Sequence, residues 1–225
     1  DGVHILTAGD DGVQIGDGTQ TPNYGVYVPG VNNTALYVNT LNPNGEWALY
    51  SDGKVRAGNV ALSSLTLIAQ VDGPDAVAAG DLVAAAGLAN PLPNSTTALP
   101  RVRLADATTW TGIVGVVEGR MTLQAEPGKK ANEKPTLHHA DGPAHAGDYV
   151  ALTVYGVAQV KAQGLSSSIT PGQRLTAAQQ PGQVRALRSE TLNGMVVTEG
   201  APVIGIALAP PDQASGLMPI FVTLK

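Results

Sequence analysis

The chain has 225 residues, enough for one large or two modest domains, and only 14% of them are charged. Its net charge is −5 and no basic cluster is larger than Lys129-Lys130, so nucleic acid is a poor candidate partner. The absence of cysteine excludes disulfides, thiolate catalysis and cysteine-based metal sites, and no apolar run is long enough to predict membrane insertion.

The composition favours an all-β protein made of short strands. Gly (27) and Pro (16) are abundant, whereas aromatic residues make up only 4% of the chain. A core built from such a sequence would consist of Val, Leu, Ile and Ala, packed in thin layers between many turns.

Residues 1–59 contain a short repeated phrase of glycine or alanine, an apolar residue, a polar residue and a second apolar residue. The first apolar position falls at residues 3, 13, 26, 36 and 49, so steps of 10 and 13 residues alternate. A two-beat period of about 23 residues is typical of stacked or wound β arrays. Because the chain starts at Asp1 inside this repeat, we expect it to be a processed product or a fragment of a longer protein.

The repeat predicts an oligomerisation seam. Gly, Asp, Asn and Pro separate the beats, which limits the strands to three to five residues with alternating faces. One apolar stripe on so thin a ribbon needs a partner, and three identical chains wound around an axis would supply it. A single-chain β-helical solenoid is the alternative. The predicted oligomerisation residues are Val3, Ile5, Val13, Ile15, Val26, Val28, Leu36 and Val38.

Aromatic residues are concentrated in the same region. Five of the nine in the chain occur here, namely Tyr24, Tyr27, Tyr37, Trp47 and Tyr50. On the flank of a fibre they could stack on the sugars of a cell-surface glycan or pack against a neighbouring subunit. The sequence leaves both uses open.

Residues 60–70 form a junction that reads equally well as a strand or as a short helical neck. Residues 71–225 are predicted to form a β-barrel or sandwich-like domain with an internal duplication. Three short sequence motifs occur twice in the same order. Residues 80–84 resemble 147–151, residues 101–105 resemble 183–187, and residues 113–117 resemble 203–207.

Turn signals refine the prediction for this domain. Gln180-Pro181-Gly182-Gln183 predicts a type II turn that joins strands at 173–178 and 183–188. The chain should close with a strand at 218–224. The alanine-rich stretch 75–88 is the one candidate helix, but its glycines argue against a full helix.

A histidine cluster, formed by His138, His139 and His145 with Asp141, is the best candidate metal site. The polar flanks favour an exposed loop instead, and adjacent histidines on an extended segment would point in opposite directions. In a subunit contact such histidines would make assembly depend on pH. We therefore expect no metal.

Other polar residues also have structural explanations. Asp10, Asp11 and Asp17 lack the register of a calcium loop. Asp81 and Asp148 each follow a glycine before a strand, which predicts Asx-type turns rather than a catalytic carboxylate pair. Residues 166–168 are serines outside any nucleophile elbow. The sequence thus predicts neither catalytic residues nor a cofactor, and we expect a protein that is not an enzyme.

The ordered combination of these motifs resembles phage tail fibres and related bacterial surface fibres. The Gly-Val-polar-Val beats resemble their shaft repeats, residues 49–55 (Leu-Tyr-Ser-Asp-Gly-Lys-Val) resemble the end of a shaft, and the later β phrases resemble the attached C-terminal domain. The resemblance implies a homotrimeric or otherwise repeating fibre that is extracellular, on a cell surface or part of a virion. A glycan- or receptor-binding fibre tip is the alternative. A self-cleaving or glycan-hydrolysing fibre enzyme is a weaker one, since no self-cleavage phrase is found.

Overall fold

The protein is represented by a computed structural model that describes residues 64–93, 96–124, 135–164 and 169–223. The predicted shaft, residues 1–59, lies outside these ranges. So do all eight predicted oligomerisation residues and the five aromatic residues of that region.

The described residues form an all-β structure, as the composition predicts. One short 3₁₀ turn, Trp110–Gly112, interrupts the strands, and no helix in these ranges is long and apolar enough to cross a membrane. The strands are β1 (Ser64–Val71), β2 (Leu82–Ala89), β3 (Leu99–Leu104), β4 (Ile113–Gln124), β5 (Thr136–Ala140), β6 (Tyr149–Lys161), β7 (Arg174–Ala177), β8 (Val184–Ala186), β9 (Ser189–Leu192), β10 (Met195–Thr198), β11 (Gly205–Ala207) and β12 (Leu217–Val222).

Five strands close into a barrel in the order β4-β2-β3-β1-β6, and β6 pairs back onto β4. The β1–β3 pair is parallel and the other four pairs are antiparallel. Closure removes the open edges that a five-stranded sheet would otherwise expose. The strand β5 pairs with the other side of β4 and is the edge strand of the sheet there.

The long strand β6 belongs to two parts of the sheet. Its first half pairs with β1 and β4, and its second half pairs with β12. Gly156 is the shared residue, because it lies opposite Ser64 of β1 and Val222 of β12. Beyond β12 the sheet continues through β11 and β7 to β8.

The barrel wall separates two apolar cores. Leu82 of β2 and Val116 of β4 belong to the larger core, with Leu175, Met218 and other residues of the added strands. The next residues along, Val83 and Val117, belong to the core inside the barrel. Successive side chains of a strand point to opposite faces, so residues 82–84 of β2 and 116–117 of β4 are buried on both sides.

Several local predictions are confirmed. β7 and β8 pair around Gln180–Gln183, where the Gln183 N–H donates to the Gln180 carbonyl (3.3 Å) and Gly182 has φ of 78°. The closing strand predicted at 218–224 is β12. The alanine-rich stretch 75–88 is not a helix, because it forms a turn followed by β2. Of the junction, the part from Ser64 onwards is a strand of the barrel. The predicted internal duplication is not shown and stays a prediction.

Candidate functional site

Two Gly-Asp phrases close similar turns. In each turn the aspartate carboxylate accepts the backbone N–H three residues earlier, from Ala78 to Asp81 (2.7 Å) and from His145 to Asp148 (3.0 Å). The predicted Asx-type turn would instead bond an N–H further along the chain. Val77 and Ala144, which precede the two turns, exchange both backbone hydrogen bonds and hold the turns side by side.

The two aspartates differ in burial. Asp81 is 5% exposed and its Oδ1 accepts a hydrogen bond from Lys161 Nζ at 2.7 Å. Asp148 is partly exposed, and its Oδ2 lies 3.2 Å from Arg120 Nε. Each carboxylate is therefore occupied by a turn donor and a cation, which is a structural arrangement. Asp81 and Asp148 thus bind separate cations in separate turns, and these contacts do not indicate the catalytic pair that glycoside hydrolysis requires.

A polar depression of about 380 Å³ lies beside the first turn. Its lining includes Asp72, Asp75, Arg103 and Asp106. The Asp106 carboxylate accepts hydrogen bonds from the hydroxyl of Thr108 (2.6 Å) and from backbone N–H groups, and these bonds hold the pKa of Asp106 below its ordinary value. An aspartate held ionised in this way is unsuited to act as a general acid near neutral pH.

The histidines are spread over two elements. His138 and His139 lie on the edge strand β5 instead of in a loop, and His145 lies in the following turn. His139 is exposed and His138 is half-buried, consistent with opposite directions along an extended segment. Among the residues that the structure describes, no group of three or more potential ligands could hold a metal ion.

The hairpin formed by β9 and β10 is a separate two-stranded sheet. Asn193 and Gly194 form its turn with positive φ values of 52° and 83°, as a type I′ turn requires. All eight strand residues are exposed, among them the large apolar side chains of Leu192, Met195 and Val196. Our reading of the sequence missed this element, although Asn-Gly is the strongest short-range hairpin signal.

Glu199 ties the hairpin to the main sheet. Its Oε1 and Oε2 accept hydrogen bonds from Arg185 Nη1 (2.5 Å) and Nη2 (3.0 Å), and Oε1 also accepts the Arg188 N–H (2.8 Å). The bond from Arg185 is the main cause that lowers the pKa of Glu199. Since a bidentate pair of this kind is strong, it fixes the base of the hairpin.

This ion pair predicts a pH-dependent stability. A lowered pKa in the folded state means that the contribution of Glu199 is fully present above the ordinary glutamate pKa of about 4.3 and is lost as the pH falls through the lowered value. Glu199→Gln should therefore lower the thermal midpoint at pH 7, and its difference from wild type should shrink below about pH 4. Glu190→Gln, on the same hairpin, is the control. A difference that stays constant from pH 7 to pH 3 would contradict the assignment.

An apolar face lies on the outer side of β1, β6, β12 and β11. It is formed by residues that pair directly across neighbouring strands. Leu65 of β1 lies opposite Tyr155 of β6, and Val157 of β6 lies opposite Phe221 of β12. Phe221 in turn lies opposite Ile206 of β11. The rings of Tyr155 and Phe221 meet edge to face with centroids 5.2 Å apart. We use the term apolar face for Leu65, Tyr155, Val157, Ile206, Leu208 and Phe221.

Comparison of the chain with protein-family models and with curated proteins found no match.

Proposed function

We propose that the chain is a structural subunit of an elongated fibre that is extracellular or part of a virion. Residues 1–59 wind with copies of themselves into a homo-oligomeric shaft, which we take to be trimeric, and residues 71–225 form the β-rich globular domain that follows it in the chain. The alternating steps of 10 and 13 residues in the repeat carry this proposal, because short strands with one apolar stripe need a partner chain.

The contacts of the β domain are consistent with a structural role. Asp81, Asp106, Asp148 and Glu199 all use their carboxylates to hold turns or to join strands. The mechanism of the proposed function is accordingly burial of apolar surface and addition of strands between chains, without catalysis or a cofactor. The internal duplication of residues 71–225 belongs to this proposal as well.

Replacing both Val13 and Val26 with aspartate in the full chain should abolish the oligomers. Two charges would then lie on the apolar stripe, where burying an unpaired carboxylate costs several kcal/mol. Mass photometry measures the oligomeric state, and far-UV circular dichroism checks that the β domain stays folded. Gln14→Asp, on the predicted polar face, is the matched control and should leave assembly intact.

Full assembly of the double variant would show that the repeat is not the seam between chains. Negative-stain images of the wild-type protein distinguish the possible forms of the assembly. Discrete particles with a stalk would support a fibre tip, long uniform filaments would support a polymer subunit, and a compact monomer would contradict the fibre.

A glycan- or receptor-binding tip remains the alternative prediction. It rests on Tyr24, Tyr27, Tyr37, Trp47 and Tyr50, which lie outside the described residues. A glycan array probed with the assembled protein distinguishes the two, because a purely structural subunit should give no selective signal.

A further inference from the structure

The apolar face is unusual for the outer surface of an antiparallel sheet. Such a surface normally carries polar side chains when it faces water. Here Tyr155 and Val157 are each 50% exposed, Leu65 is 49% exposed and Ile206 is 38% exposed. Contiguous apolar patches that are rimmed by polar residues mark interaction sites.

None of the six side chains of the face is charged, and the nearest charged groups lie at its rim. At the β1 end, the Glu118 carboxylate accepts hydrogen bonds from the hydroxyls of Thr66 and Thr153, which neighbour Leu65 and Tyr155 on β1 and β6. On β6 the outward residue after Val157 is Gln159, and its partner on β12 is Pro219. The first charged side chain further along β6 is Lys161, which is bound to Asp81. Across β11, the face ends at Arg174, the partner of Ile206. A surface without charge in its centre and with polar residues at its rim has the composition of an interface core.

We propose that the apolar face is the contact between the β domains of neighbouring copies of this chain in the assembled oligomer. This inference rests on the proposed function. It adds a second interface, within residues 64–223, to the seam proposed for residues 1–59.

The position of Leu65 in the chain argues for a second copy as the occupant. Leu65 is the second residue of β1, and β1 begins directly after residues 1–63, which contain the proposed winding region. Its cross-strand partner Tyr155 continues the same surface onto β6. The apolar face therefore includes the strand that directly follows the proposed winding region in the chain, so a copy joined through that region is held on a short tether.

The size of the apolar face points the same way. Five of the six side chains are 38–50% exposed and Phe221 is less exposed, so together they present an area on the order of 500 Å², less than the roughly 800 Å² per partner that a standard free-standing interface buries. Copies already joined by their shafts need less area, because the second contact forms at an effective concentration in the millimolar range. The face thus fits a tethered copy better than an independent partner.

Single cysteines test this proposal cleanly, because the wild-type chain contains none. Val157→Cys and Ile206→Cys place a thiol on the apolar face, on two different strands. Leu88→Cys is the matched control, because Leu88 is apolar and 73% exposed but lies on β2, outside the face. Each full-length variant is first checked for its oligomeric state by mass photometry and is then labelled with a maleimide.

We expect both thiols on the apolar face to react about 10-fold or more slowly than the thiol at position 88 while the oligomer is intact, since an interface core excludes solvent. In the Val13→Asp/Val26→Asp background the three rates should become similar. Equal rates in a confirmed oligomer would overturn this inference and leave the proposed function standing. Protection that persists in the monomeric background would also overturn it, because a segment of the same chain would then cover the face. A monomeric wild-type chain would overturn both proposals.

Discussion

Replacing Asp81 with alanine is expected to destabilise the folded β domain by about 2–4 kcal/mol, because it removes a buried acceptor from two donors at once. The carboxylate accepts the Ala78 N–H and a hydrogen bond from Lys161 Nζ, each at 2.7 Å. The side chain of Lys161 is 34% exposed, so water can take up part of its charge and the loss stays below that of a fully buried pair.

The surroundings of Asp81 make the site sensitive. Its carbonyl accepts the Val117 N–H at 2.9 Å, and the N–H of the next residue, Leu82, donates to Gly182 at 2.8 Å. A Cβ on Gly182 would lie 2.7 Å from Asp81 Oδ1, so the carboxylate packs directly against the turn between β7 and β8. Asp81 therefore connects the barrel to the added strands.

Asp148→Ala is the matched control. Asp148 makes the same local turn bond and has its own cation partner, Arg120, but both side chains are about 30% exposed. We expect a loss below about 1 kcal/mol, because partly solvated ion pairs contribute little. Urea unfolding followed by circular dichroism measures both variants. Equal losses would show that burial is not what gives Asp81 its importance.

Gly205→Ala is expected to be the most damaging small substitution, with a loss of about 3 kcal/mol or more. A Cβ at this position would clash with the backbone carbonyl oxygen of Phe221, its neighbour on β12. No rotamer change can relieve a contact with backbone. The strands β11 and β12 would have to separate, although Gly205 lies directly opposite Val222 in their ladder.

Gly200→Ala provides the comparison within the same segment. A Cβ on Gly200 would meet no atom within 4 Å, and its φ lies outside the positive range. The expected change is within about 0.5 kcal/mol of zero. Thermal unfolding of both variants gives the measurement. A Gly205→Ala protein as stable as Gly200→Ala would mean that β11 and β12 do not pack as closely as the structure has them.

The local elements were predictable because the chemistry that produces them is local. A proline followed by glycine specifies the turn at Pro181-Gly182, whatever the rest of the chain does. The glycines of 75–88 argued against a full helix for the same reason. Asn193-Gly194 would have been predictable too, since the pair favours positive φ at both positions.

The candidate site was less predictable, because exposure depends on which strands become neighbours. The phrase Gly-Ile-Ala at β11 looks like any buried strand, yet Ile206 is exposed because it pairs with Phe221 on the outer side. Val157 and Tyr155 likewise belong to a strand that has apolar residues at both odd and even positions. Only the register of the ladder separates Val157 from the buried Val160.

By itself, the sequence determined the all-β class and the proline-glycine turn between β7 and β8, since each of these depends on residues close together in the chain. The tertiary structure alone decided that β4 pairs with β6 to close a barrel, that β1 runs parallel to β3, and that β6 is shared between two parts of the sheet. These features bring together residues distant in sequence, and alternation of apolar residues is compatible with many such pairings. The apolar face follows from that choice of pairings.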